Sequence, residues 1–173
     1  SLATSTHKII AVVTQPDRPK GRSKIPCPSP VKEAALELGL EIMQSVNINE
    51  EAFAKELQRL SPDCIVVVAF GQFLSIPIIN LPGYRCINIH ASLLPKFRGA
   101  APINWAIIQG EPVTGVTAVV MTAKMDAGDI IAQKTTPIFP GENAGELEKR
   151  LASMGAELLT ETLNRIETGS ATY

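Results

Sequence analysis

The run CIVVVAF at 64–70 shows no alternation of polar and apolar residues. A strand that is apolar on both faces must be covered on both, the position of a parallel strand between two helical layers. It is also far too short to cross a bilayer. HKIIAVVTQ (7–15) is a second buried strand of the same kind, and EIMQ (41–44) is a short third. Between them lie helical patterns. Ser29 and Pro30 set an N-cap and N1 for a helix that runs to Leu38 and stops at Gly39, and Asn49 caps a helix over 50–60. Strands alternating with helices predict an α/β, Rossmann-like open sheet, mostly parallel, at least in its first part.

The rest of the chain continues the pattern. FLSIPIINL (73–81) is broken by Pro77 into a short helical turn, and RCINIH (85–90) is a strand. A helix is expected over 101–109, strands over 116–123 and 130–138, and a long helix over 143–168 with Leu147, Leu151, Met154, Leu158, Leu159, Leu163 and Ile166 as its apolar stripe. A sheet of this class normally opens with a central strand and helix. SLATST looks instead like the frayed end of a helix, so an upstream βα unit is expected to be absent.

At 173 residues the chain fits one domain, with 45% apolar residues to fill a core. A net charge of −1 sets up no global field for nucleic acid or membrane. Its three cysteines, Cys27, Cys64 and Cys86, have neither disulfide nor metal spacing, which points to a reducing compartment. No signal peptide, initiating Met, G-x-G-x-x-G or P-loop is present in the sequence.

In open α/β sheets ligands sit beyond the carboxyl ends of the strands. That rule puts Phe70–Leu74 and His90–Pro95 on the working edge. Asn88 and His90 lie two apart on one strand, hence on one face. MDAGD (125–129) follows another strand and can bring Asp126 or Asp129 beside them. Such a set suits work on a carbonyl. An amide N–H holds an oxyanion, an imidazole moves protons near neutral pH, and a carboxylate fixes the imidazole. Ser92 lacks a nucleophile elbow, Cys86 lies inside an apolar run, and one usable His leaves no metal-ligand spacing, so neither covalent nor metal chemistry is expected. His7 reads as a surface residue. Arg18, Lys20, Arg22 and Lys24 form the one local basic cluster, on the Pro-rich loop 16–30, suited to phosphate backbone rather than to bases.

INIHASLLPKFRGAAP (87–102), followed by DAGD, resembles the folate-dependent formyltransferases, over nearly the whole chain from Ile9 to Thr168. TQPDRPKGR before PSPVK resembles the branch that acts on methionyl-tRNA. The resemblance implies formyl transfer from 10-formyltetrahydrofolate, leaving tetrahydrofolate, to the amino group of methionyl-initiator tRNA for translation initiation. It implies Asn88, His90 and Asp126, rather than Asp129, as the catalytic set. It implies a folate pocket of Ser92, Leu93, Leu94, Pro95, Phe70, Gly71, Gln72, Phe73, Leu74, Met121 and Met125. It also turns Arg18, Lys20, Arg22 and Lys24, Arg22 above all, toward the tRNA acceptor stem.

Against the family pattern, residues 1–173 correspond to the catalytic domain without its first strand and without the C-terminal tRNA-binding β-barrel. The chain alone is therefore expected to have low activity. A monomer is expected, in a bacterial cytoplasm or an organelle matrix and with no membrane contact. The rivals are a formyltransferase acting on an amino sugar nucleotide or purine precursor, and a non-catalytic folate-binding module.

Overall fold

The computed structural model describes residues 2–19 and 25–172. After one 3-10 turn at Leu2–Thr4 come β1 (Val12–Thr14), β2 (Arg18–Pro19), β3 (Pro26–Cys27), α1 (Pro30–Glu37), β4 (Ile42–Gln44), α2 (Glu51–Leu60) and β5 (Ile65–Val67). Then follow α3 (Ile76–Ile79), β6 (Cys86–His90), α4 (Pro102–Ile108), β7 (Val113–Val120), β8 (Ile130–Pro137) and α5 (Ala144–Glu167).

The first part is parallel as expected: β1 pairs with β4 and β5 with β6. The second part turns antiparallel, in the order β5-β6-β7-β8. Among the described residues no ladder joins β1 to β5, so the parallel strands form two pieces. Both pieces nevertheless pack on one core with Phe53, Leu57, Leu74 and Ile78, to which Val13 and Val67 contribute. A second core lies on the opposite side, where α5 lays Leu147, Leu151, Leu158 and Leu163 against Ile87, Ile89 and Val116.

Local chemistry fixes the helix starts. The Ser29 hydroxyl accepts from the Lys32 N–H at 3.1 Å ahead of Pro30. Asn143 and Glu146 form a reciprocal capping box on α5. Asn49 does not cap α2. The cap position is Glu50, and the Asn49 side chain is held elsewhere, by Phe73 and Ser75. β1 is shorter than expected because its partner β4 offers only three residues. β7 begins three residues earlier than expected and ends at Val120. Gly115 permits this early start, since a Cβ there would lie 2.1 Å from the Lys134 carbonyl oxygen of β8.

Candidate functional site

A cavity of about 1130 Å³ opens at the carboxyl ends of β5 and β6. The register pairs Val67 with Asn88, so the segment leaving β5 and the end of β6 reach this edge together. Phe70, Gly71, Gln72, Phe73 and Leu74 line one wall, Met121, Met125 and Asp126 another, and Asn88 and His90 face the same space. The wall is mostly apolar and its rim leaves Phe73 and Met125 exposed, a surface suited to a flat heteroaromatic ligand.

The 70–74 wall is held from outside. Gln15 Nε2 donates to the Phe70 carbonyl at 3.1 Å. Gln72 accepts from the Ile48 N–H at 2.8 Å and donates to the Ser45 carbonyl at 3.1 Å. Asn49 Nδ2 donates to the Phe73 carbonyl at 2.8 Å, and its Oδ1 accepts from the Ser75 N–H at 2.7 Å.

At the end of β6, Asn88 Nδ2 donates to Asp126 Oδ1 at 3.1 Å. His90 Nδ1 lies 3.5 Å from Asp126 Oδ2, with both side chains nearly buried. The bond to the carboxylate fixes which way the Asn88 amide points, and among the described residues its second N–H has no hydrogen-bond partner. Asp126 reaches this place from a left-handed turn, at φ +47°. Asp129 does not join the site. It is exposed, and its backbone carbonyl closes the strand pair by accepting from the Val120 N–H at 2.9 Å.

Ser92, Leu93, Leu94 and Pro95 do not line the cavity. Ser92 is fully buried, and its hydroxyl donates to the Lys96 carbonyl at 2.6 Å. Thr117 Oγ1 donates to the Ser92 carbonyl and accepts from the Leu94 N–H and Gln133 Nε2. These residues anchor the loop to the sheet, and a hydroxyl so engaged is no nucleophile. The Cys86 thiol, packed against Met121, is pushed up to about 12, chiefly by burial. No cluster of three metal-ligating side chains exists among the described residues. No described helix is long and apolar enough to cross a membrane. Arg18 sits on exposed β2 and donates to Gln15 Oε1 at 3.1 Å. Lys20, Arg22 and Lys24 lie outside the described residues.

Two contributions come from backbone and escape side-chain patterns. The Gly99 N–H donates to Asp126 Oδ2 at 2.9 Å, and the Phe97 carbonyl bonds His90 Nε2 at 2.8 Å.

A family model described as formyl transferase matches residues 1–163. The chain belongs to the formyl transferase family. Among curated members of that family, the methionyl-tRNA formyltransferase of Agathobacter rectalis is 51% identical over 167 residues, covering 96% of this chain and 54% of that protein. The enzyme of the same name from Halothermothrix orenii is 55% identical over 163 residues, covering 94% and 52%. This formyl transferase chain thus spans about half the length of the curated relatives it matches. Its fold is that of a solved phosphoribosylglycinamide formyltransferase from Anaplasma phagocytophilum, with a TM-score of 0.81 over 97% of this chain and 80% of that one at 21% identity.

Proposed function

We propose that this chain carries the chemistry of formyl transfer from 10-formyltetrahydrofolate to the amino group of methionyl-initiator tRNA. The observation that carries the reading is Asn88, His90 and Asp126 gathered at one edge of an apolar cavity. The folate supplies the formyl carbon, and the residues that would hold its ring are Phe70–Leu74, Met121 and Met125. The free N–H of Asn88 holds the oxygen that turns negative as the amine adds to that carbon. The attacking amine must be neutral and must then lose a proton, which the His90–Asp126 pair receives directly or through water. The leaving folate nitrogen takes a proton back as the carbon–nitrogen bond breaks. The basic loop from Arg18 to Lys24 contacts the acceptor stem through phosphates.

Among the described residues no ladder joins β1 to β5, which supports a further part of the reading: a parallel strand and its helix, the first βα unit of the full catalytic domain, would fit between them. A β-barrel beyond residue 173 adds grip on tRNA. One copy suffices for the chemistry, since all three polar residues come from one chain. The setting is a bacterial cytoplasm or an organelle matrix.

The test is single-turnover transfer with the protein in excess over methionyl-tRNA, which reads chemistry even when tRNA binding is weak. Asn88→Ala should slow transfer about 100–1000-fold while folate-analogue binding persists. Preferential formylation of an amino sugar nucleotide or purine precursor would redirect the acceptor. Folate binding with no transfer at all would leave a binding module.

A further inference from the structure

We infer that the short loop Phe97–Gly99 is a positioning clamp that sets the tautomer of His90 and the orientation of Asp126 through backbone groups alone. The inference deepens the formyl-transfer reading and rests on it for the step the clamp serves. A carbonyl oxygen can only accept, so the 2.8 Å contact between Phe97 O and His90 Nε2 places the ring proton on Nε2. Nε2 is then occupied, and Nδ1 is the nitrogen left to receive a proton. It faces Asp126 Oδ2 at 3.5 Å. That same oxygen accepts from the Gly99 N–H at 2.9 Å, while Oδ1 accepts from Asn88. The two ends of one three-residue loop therefore hold the imidazole and the carboxylate on either side of the gap where a proton must travel.

The backbone shape makes this possible. Phe97 has φ +55° and Gly99 has φ +83°, and the turn they make points one carbonyl and one N–H inward. A side chain larger than hydrogen rarely adopts such a conformation, and it persists only where its surroundings hold it. Here they do. The Lys96 N–H donates to Leu93 O at 3.0 Å, and the Ser92 hydroxyl holds the Lys96 carbonyl from below. The arrangement is the reverse of a serine-protease histidine, in which the ring donates Nδ1–H to the carboxylate and Nε2 serves as base. In this chain the carboxylate faces the unprotonated Nδ1, and a proton arriving there gains an opposite charge at once.

The test is ¹⁵N NMR of the protein labelled at histidine. Only His7 and His90 contribute, and His7→Gln assigns the pair. In the neutral ring of His90, Nε2 should carry the proton and Nδ1 should not. Phe97→Val puts a β-branched residue at positive φ, and Gly99→Ala strains the donor of the Asp126 bond although a Cβ there would have room, 3.6 Å from Met125 Sδ. Both should mix the tautomers and lower the single-turnover rate about 100-fold, with little change in folate-analogue affinity. Phe97→Gly keeps access to the left-handed turn and should retain the wild-type tautomer. A wild-type His90 protonated on Nδ1 would overturn the inference, as would a slowed Phe97→Val or Gly99→Ala whose tautomer is unchanged. The tautomer is observed without substrate, so failure here is separable from failure of the formyl-transfer reading.

Discussion

Gly128, in the turn that carries Asp126, offers a sharp test of how the site is supported. A Cβ built there would lie 1.9 Å from the Val120 carbonyl oxygen and 3.0 Å from Thr122 Cγ2. The obstacle is backbone, so no rotamer change relieves it. In Gly128→Ala the turn must retreat from 1.9 Å to the 3.4 Å of ordinary contact, a shift of 1.5 Å. The adjacent bond from the Val120 N–H to the Asp129 carbonyl, now 2.9 Å, does not survive such a shift. Losing it costs about 1 kcal/mol and the overpacking about 1–3 kcal/mol more. For a chain of this size that lowers Tm by roughly 10 °C in thermal unfolding. Asp126 lies two residues away and moves with the turn, so transfer should also fall about 100-fold at a temperature where the variant is folded. A Tm within ~2 °C of the parent would mean that the turn does not press on β7 as described, because a shift that large cannot be absorbed for so little.

Two further outcomes follow from contacts elsewhere in the chain. Asn49→Ala removes both bonds that pin Phe73 and Ser75; it should lower stability by about 1–2 kcal/mol and weaken folate-analogue binding, measured by titration, more than it slows single-turnover transfer. Bonds from Arg150 hold the Glu142 carboxyl below its usual 4.5. A depressed pKa contributes stability fully present above that value and lost as pH falls through the folded one. The Tm gap between the parent and Glu142→Gln should therefore narrow below pH 4.5, and a gap that is constant with pH would rule out this pair as an acid-labile contact.

Much of this site is legible along the chain because its logic is local. Period 2 alone puts Asn88 and His90 on one face of β6, and the rule for sheet edges puts Phe70–Leu74 near them. The apolar stripe of α5 likewise needs only short-range information. Pairing direction is different. β6 and β7 are separated by a loop and a helix, a connection that parallel strands also use, and only the path of that loop makes them antiparallel. Ser92–Pro95 mislead for a related reason. They are adjacent in sequence to the site, but Thr117 and Gln133, which reach them from β7 and β8, draw them under the sheet edge and away from the cavity. Asn49 has the composition of a cap and the geometry of a brace, since its partners stand some two dozen residues downstream.

What lies beyond sequence reasoning most completely is backbone conformation around the cavity. Ala69, Phe97, Ala101 and Asp126 all have φ between +46° and +55°. Ala69, Ala101 and Asp126 line the cavity, and Phe97 holds His90 from behind it. Alanine and phenylalanine carry no preference for that region, so at Ala69, Phe97 and Ala101 the residue type gives no warning. Each such residue costs on the order of 1–3 kcal/mol, and these four gather where the segments leaving β5, β6 and β7 converge. Strain of that size, concentrated at one sheet edge, is stable only because the two cores on either side of the sheet fix the strand ends. The cores therefore do more than hold the fold: they allow the loops after β6 and β7 to present a carbonyl, an N–H and a carboxylate in orientations an unsupported loop would relax away from.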